Sequence, residues 1–472
     1  MQKSIIIQRL LSVLTFLLTA FLLSRSPADA DLWWHLRAGQ VMWTQKNILL
    51  TDVFSYTRAG APWVNAFWLS DLLLYGLYSL GKPFALATFV ALLGALTFYV
   101  VSKNLKGNPF TNSFILLLAA VTAAPVWGPR PQILSFLFVA LLDFWLIRQQ
   151  PLEYLPPFFA LWANIHGGWI WGFLLLAAHV AGLFVRSLFQ TEERLPLRRQ
   201  ALRLLGWTAL SALAIGVNPN GLAIWKLPFQ QVDVSLQIQE WLSPDFHRID
   251  FHPFLWMIFL LLLIAPYASR PRNYPQLFKT LGFAYLTFVA QRNIALFAIT
   301  ALPLLAEWLH SFWQAIPWKI RLTSHPELPP RLVSILNILL VILLTLMVGG
   351  NLYLVSQPKR VQENYPVGAV AWLHSHQPPG RLFNSYNWGG YLTWVLPEYP
   401  IFIDGRADLY GNDLIQQWHD VVNAQSNALD ILDAWDVDIV LLEPERPIVE
   451  VLNKNGWEEV YEDQEAIIFI HH

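Results

Sequence analysis

The stretch Asp29-Ala30-Asp31-Leu32-Trp33-Trp34-His35-Leu36-Arg37 follows directly on an apolar run over about residues 5–24. It sets two carboxylates, an imidazole and a guanidinium at a membrane surface. An ionisable group at that depth is costly unless something pairs with it or uses it. Paired carboxylates there suit two tasks: deprotonating an acceptor, or holding a divalent metal such as Mg or Mn. The plain alternative is a solvated juxtamembrane loop whose tryptophans belong to the interfacial aromatic belt.

The rest of the chain agrees with a membrane setting. It is 55% hydrophobic and 13% charged, where soluble domains carry about 25% charged residues. The 23 tryptophans suit many interfacial crossings. A net charge of −1 gives no reason to expect a nucleic-acid partner. The absence of cysteine excludes disulfides, thiol catalysis and thiolate metal sites. The first apolar run has Lys3 and Arg9 near its start, but no small-residue cleavage site stands out and more spans follow, so it reads as a retained helix.

Apolar windows predict about eleven transmembrane helices, near 5–24, 83–102, 110–126, 132–147, 153–167, 169–187, 202–217, 253–268, 276–290, 294–309 and 332–355. Basic residues predict the orientation. With the N-terminus cytoplasmic, the inner segments hold Lys103, Lys106, Arg148, the run Arg194, Arg198, Arg199 and Arg203, then Arg270, Arg272, Lys319, Arg321 and Arg331. The expected setting is a plasma (inner) membrane crossed many times, with the C-terminal part extracytoplasmic. The segment Trp63–Leu80 is apolar but holds Asn65, Ser70 and Asp71, which predicts an amphipathic helix on the outer surface. The expected organisation is a transmembrane domain over 1–355, with outer loops at 25–82 and 218–252, and a soluble α/β domain over 356–472. Strands are predicted at Arg381–Ser385, Ile401–Asp404 and Asp438–Glu443, with a closing pair around Val460 and Ile467–Ile470. Helices are predicted near Pro366–His374, Asp413–Ala424 and Asn427–Trp435.

With that topology the unusual polar residues gather on the outer face. Arg130 lies in Trp127-Gly-Pro-Arg-Pro-Gln132 and Arg292 in Gln291-Arg-Asn293, both in short connections. A buried arginine needs an anion, and its fork suits phosphate. The structural alternative is a salt bridge to Glu240 or Asp245. His166 is followed by two glycines, which allow close approach of a ligand or of backbone. Glu240-Trp241 pairs a carboxylate with an aromatic, as sugar sites often do and as ordinary loops also do.

Asp31-Leu-Trp-Trp-His-Leu-Arg37 resembles the first outer loop of the GT-C superfamily, polytopic glycosyltransferases that use lipid-phosphate-linked sugar donors. It looks most like the catalytic subunit of oligosaccharyltransferase, where an Asp is followed six residues later by Arg, with aromatics and an Asn between. Here His35 stands at the Asn position. The chain is also similar to a broad group of bacterial membrane proteins with an Asp-x-Asp-Leu-Trp-Trp-His-Leu opening. Asn384-Ser-Tyr-Asn-Trp-Gly-Gly-Tyr391 and Ile403-Asp-Gly-Arg406 resemble that subunit's acceptor-reading Trp-Trp-Asp-Tyr-Gly segment and its downstream Asp-Asn. Two departures stand out. Asn387-Trp388 replaces the aromatic–Asp pair, and the second outer loop carries Arg130 where the family has acidic metal ligands. They leave sequon recognition and metal dependence open.

The resemblance implies an inverting glycosyltransferase that moves a sugar from a polyprenyl-phosphate-type donor to an extracytoplasmic glycan, lipid or protein acceptor. It implies Asp31 as general base, with Asp29 and His35 beside it. Arg130, Arg292 and Arg37 are then the candidates for the donor phosphate. His166, Glu240, Trp241, Tyr386, Trp388, Tyr391, Asp404 and Arg406 are the candidates for substrate contact. The alternatives are a transporter or flippase of a lipid-linked or anionic substrate, and a non-catalytic membrane assembly or binding protein.

Overall fold

The computed structural model describes residues 2–230, 239–268, 272–316 and 329–471. Arg270, Lys319, Arg321 and part of the 218–252 loop lie outside the described residues. The helical part runs α1 (Gln2–Leu23), α2 (Leu32–Gln45), α3 (Trp68–Ser102), α4 (Pro109–Ala123), α5 (Gln132–Ile147), α6 (Leu155–Ile165), α7 (Trp169–Phe189), α8 (Arg194–Ala214), α9 (Leu227–Gln230), α10 (His252–Ile264), α11 (Tyr274–Val289), α12 (Ile294–Ala315) and α13 (Pro330–Val355).

The chain is a multi-pass membrane protein. Six described helical segments are long and apolar enough to cross a bilayer: Trp68–Ser102, Pro109–Val126, Trp169–Phe189, Ile249–Tyr267, Gln291–Ala315 and Arg331–Val355. Each of the eleven expected windows contains helix. The apolar stretches of α1 and α5 are shorter, and α6, α8 and α11 are too short or too polar to qualify by themselves. Eleven spans therefore exceed what length and composition establish. Inside the bundle α5 and α11 are joined by a fully enclosed ion pair, Asp143 with Lys279, each charge offset by the other in a setting that penalises lone ions.

Two local features shape the first loop and the helix after it. The first loop folds as α2, a helix that the apolar windows did not mark, and the Asp-x-Asp stretch is its entry. Helix α3 starts at Trp68 and breaks at Gly81 (φ −149°) and Lys82 (φ 52°). Pro83 follows, and proline disfavours the helical conformation in the residue before it. The break separates 68–80 from the span 83–102, where the sequence predicted a separate surface helix. Helix α2 lies against the first part of α3, and a side chain at Gly39 would run into the Asp71 carbonyl.

After α13 come α14 (Pro358–Val361), α15 (Val367–His376), β1 (Arg381–Asn384), α16 (Gly389–Val395), α17 (Ala407–Val422), α18 (Ala428–Ala434), β2 (Val437–Leu442), α19 (Ile448–Lys454), β3 (Glu458–Glu462) and β4 (Ile467–Ile470). The sheet order is β1-β2-β4-β3, with β1 parallel to β2 and the other neighbours antiparallel. Alternation along the strands gives two apolar faces. One face (Phe383, Val440, Leu442, Phe469) packs on Tyr410, Leu414 and Leu432 of α17 and α18. The other (Leu382, Ile439, Leu441, Ile468) shares a core with Leu32, Trp33 and Leu36 of α2.

The predicted strand Ile401–Asp404 is not in this sheet. It pairs instead with the first loop, through a Ser55–Ile401 bridge and the Thr57 hydroxyl, which donates to the Phe402 carbonyl at 2.6 Å.

Candidate active site

A cavity of about 1060 Å³ opens where the end of α1, the entry to α2, the 127–132 connection, Glu240-Trp241, Gln291-Arg292 and the C-terminal segment meet. Asp31 occupies the N-cap position of α2, yet its side chain makes no capping hydrogen bond. Residues there usually turn their oxygen onto the helix's own free N–H groups. Here the carboxylate takes the Trp34 indole N–H at 3.2 Å and lies 3.3 Å from Arg130 Nη1. Gly405 makes this approach feasible, because a side chain there would collide with the Asp31 carboxylate. Likewise a Cβ at Gly390 would lie 2.5 Å from the Ala30 carbonyl. The glycines of the C-terminal segment thus let its backbone close over the entry to α2.

Arg130 is enclosed by carboxylates. Its Nε donates to Asp29 at 2.6 Å, and its Nη1 reaches Glu240 at 2.8 Å as well as Asp31. Arg292 lies 3.7 Å from the other oxygen of Glu240 and stacks over Trp241 at 4.4 Å. Its Nε is buried without a hydrogen-bond partner among the described residues. The two arginines therefore differ: Arg130 is largely engaged, whereas Arg292 keeps donors to offer. Asp245 pairs with His247 instead of either arginine.

Burial pushes the Asp31 carboxyl up to about 7; Arg130 opposes that rise, while Asp29 and Glu240 add to it. Glu240 would also rise on burial, but Arg130 and Arg292 hold it below the ordinary range. A carboxyl near 7 is poised to gain or lose a proton at neutral pH.

The helical geometry of α2 sorts its residues. His35 lies about 40° around the helix from Asp31, and Arg37 about 240°. His35 lines the cavity, and its Nδ1 lies 2.6 Å from Asp71. Arg37 does not line it and donates to Gln40 at 2.7 Å, which corrects its assignment to the phosphate. His166 lines the cavity beside Ser135, and Tyr386 lines it from the C-terminal segment.

Trp388 and Tyr391 do not line the cavity. They are buried in the core shared with α2, with Tyr391 stacked on Tyr365 at 4.5 Å and edge-on to Trp33 at 5.3 Å. Asp404 is fully buried, and Arg406 is held by Asp404, by Asp52 at 2.6 Å and by the Tyr410 hydroxyl at 3.2 Å. Arg406 reaches the cavity wall with its donors already taken, so this corner fastens the C-terminal segment to the first loop.

Several lining side chains carry no motif in the sequence: Arg25, Arg248, Asp250 and Asp408. Their only signal is positional, since Arg25 and Arg248 are basic residues close to the ends of apolar windows. Asp408 is pushed up to about 6, chiefly by burial.

The residues do not suit a divalent metal between Asp29 and Asp31, because the Arg130 guanidinium already holds the space those carboxylates face. Among the described residues no other cluster of three His, Asp or Glu side chains is arranged to hold one. Excess EDTA should leave the protein's activity within twofold of the untreated rate. A loss restored by Mn or Mg would overturn this.

No protein-family model and no curated protein sequence matches the chain. Solved structures do. The oligosaccharyltransferase AglB from Archaeoglobus fulgidus, in complex with an inhibitory peptide and a dolichol-phosphate, aligns with a TM-score of 0.59 at 12% identity, over 98% of this chain and 74% of that one. The apo form of the Archaeoglobus fulgidus oligosaccharyltransferase aligns at 0.55 and 11% identity, over 92% and 70%. ArnT from Cupriavidus metallidurans, bound to undecaprenyl phosphate, aligns at 0.49 and 13% identity, over 99% and 98%. The fold is GT-C-like over nearly the whole chain.

Proposed function

We propose that the chain is an inverting membrane glycosyltransferase that moves a sugar from a polyprenyl-phosphate donor to an extracytoplasmic acceptor. One observation carries this reading. Asp31 stands in the cavity without capping its own helix, near neutrality in its titration, with the donor-rich Arg292 across from it. The GT-C-like fold supports it, since AglB holds a dolichol-phosphate.

In this mechanism the acceptor's O–H or N–H gives its proton to Asp31 as the acceptor atom bonds to the anomeric carbon. The carbon–oxygen bond to the lipid phosphate breaks on the opposite side, and the phosphate leaves with the electron pair. Its developing charge falls to Arg292, whose N–H groups are fixed in place before the reaction. Such preorganised donors contribute about 10²–10³ in rate. Arg292→Lys keeps the charge but loses the fork, so affinity for undecaprenyl phosphate should fall about tenfold in a binding titration. Unchanged affinity would make Arg292 a purely structural partner of Glu240.

The orientation follows from the basic residues of the inner connections. In this cysteine-free chain, single cysteines at Ser26 and Gln464 should both react with an impermeant maleimide in intact cells. Labelling of one alone would place the cavity and the C-terminal segment on opposite sides and remove the proposal.

A further inference from the structure

Two imidazoles, His35 and His166, line the cavity next to Phe67, which is itself part of the wall. The Phe67 ring lies 5.3 Å from His35 and 5.5 Å from His166 between centroids. At His166 the chemistry of the neighbours decides the tautomer. The Gly168 backbone N–H, 2.8 Å from Nδ1, can only donate, so Nδ1 accepts and the ring's hydrogen sits on Nε2. Ser135 agrees: its oxygen receives the Trp162 indole N–H at 2.7 Å, and its hydroxyl donates to Nδ1 at 2.8 Å. Burial, with Arg292 nearby, holds His166 down to about 3, so the ring stays neutral.

At His35 the partner is Asp71, fully buried, whose other side-chain partner is Asn65 at 3.5 Å, the limit of a hydrogen bond. An ionised Asp71 beside a neutral imidazole would be a buried net charge with one good hydrogen bond, which is costly. The pair therefore keeps a shared proton. Whether that proton lies nearer Asp71 or nearer Nδ1, His35 retains its own hydrogen on Nε2. Among the described residues neither Nε2 has a hydrogen-bond partner.

We infer that His35, Phe67 and His166 form the subsite for the donor's sugar, and that it takes a ring presenting oxygen acceptors and refuses a cationic amino sugar. The inference rests on the lipid-phosphate-sugar reading above. Phe67 offers the flat apolar face against which a sugar ring packs. The two Nε2–H groups need lone pairs opposite them, which hydroxyl, acyl or carboxylate oxygens supply and an ammonium group lacks. Arg292, on the same side as His166, adds positive potential against a cation. A cationic ring would bury two unpaired donors facing its own N–H groups, and sites built from polar groups discriminate strongly when those groups are left unpaired.

The test uses the full-length protein in nanodiscs and four probes: undecaprenyl phosphate alone, the same lipid carrying glucose, and its 2-amino and 4-amino glucose analogues. The glucose lipid should bind at least tenfold tighter than either amino analogue. In His166→Phe the glucose lipid should weaken about tenfold, with undecaprenyl phosphate itself held within twofold. Amino analogues that bind as tightly as the glucose lipid would overturn the subsite, and so would a His166→Phe loss shared equally by the bare lipid. The comparison among donors needs only the wild-type chain, so a poorly folded variant does not decide the matter. No binding of undecaprenyl phosphate at all would bring down the donor reading itself.

Discussion

Asp31→Asn should lower sugar transfer by about two to four orders of magnitude, the usual contribution of a positioned general base. The substitution is nearly isosteric and leaves the fold little reason to change. Asp31 does not cap α2, and an asparagine oxygen still accepts the Trp34 indole N–H. Membrane levels should therefore match the wild type while transfer collapses. Asp29→Asn should cost less, since Asp29 is held against Arg130 at 2.6 Å and serves chiefly to fix that guanidinium. Full activity in Asp31→Asn would remove the base.

The second large effect is expected at Arg130, and its signature lies in the pH profile. The base form of Asp31 is the carboxylate, so transfer should rise with pH through about 7, where burial has placed its titration. Arg130 is the neighbour that opposes that upward shift, and Glu240 is one that adds to it. Arg130→Gln should therefore move the rising limb to higher pH, with about a tenfold loss at neutral pH for each unit moved. Glu240→Gln should move it lower, because a negative neighbour is lost and Arg130 is freed toward Asp31. Rate–pH profiles of the three proteins decide this. Coincident limbs would show that the carboxylate cage around Arg130 does not set the base.

The apolar windows were legible because burial in lipid demands long, uninterrupted runs of apolar side chains, and each window is indeed helical. The number of spans was not, because α6 and α11 are short and α8 opens with arginines. Helix α2 escaped for a related reason: Leu32-Trp-Trp-His-Leu-Arg-Ala-Gly-Gln-Val-Met-Trp43 buries three faces in three settings, on the sheet, on α3 and toward the cavity, so no single apolar stripe marks it. Missing that helix is what left Arg37 grouped with Arg130 and Arg292.

The aromatic turn of the C-terminal segment shows the same limit. Tyr386 and Trp388 look alike in sequence, yet one lines the cavity and the other fills a core, a difference set by how β1 runs into α16. The close approaches of Gly390 to the Ala30 carbonyl and of Gly405 to the Asp31 carboxylate required the fold. Engagement of Arg130 by three carboxylates from two separate segments, Asp29 and Asp31 of one and Glu240 of the other, lies beyond any local pattern.

The central claim is that this GT-C-like scaffold transfers sugar from lipid phosphate with Asp31 as base. Its most direct test is a transfer assay on membranes holding equal amounts of the wild type or Asp31→Asn, supplied with radiolabelled polyprenyl-phosphate sugars. The wild type should move label from the lipid-phosphate pool into an acceptor fraction with inverted anomeric configuration, and Asp31→Asn should leave at least 99% of that signal undeveloped, the lower bound of a loss of about two orders of magnitude. Equal label in the two acceptor fractions, or transfer with retained configuration, would contradict it.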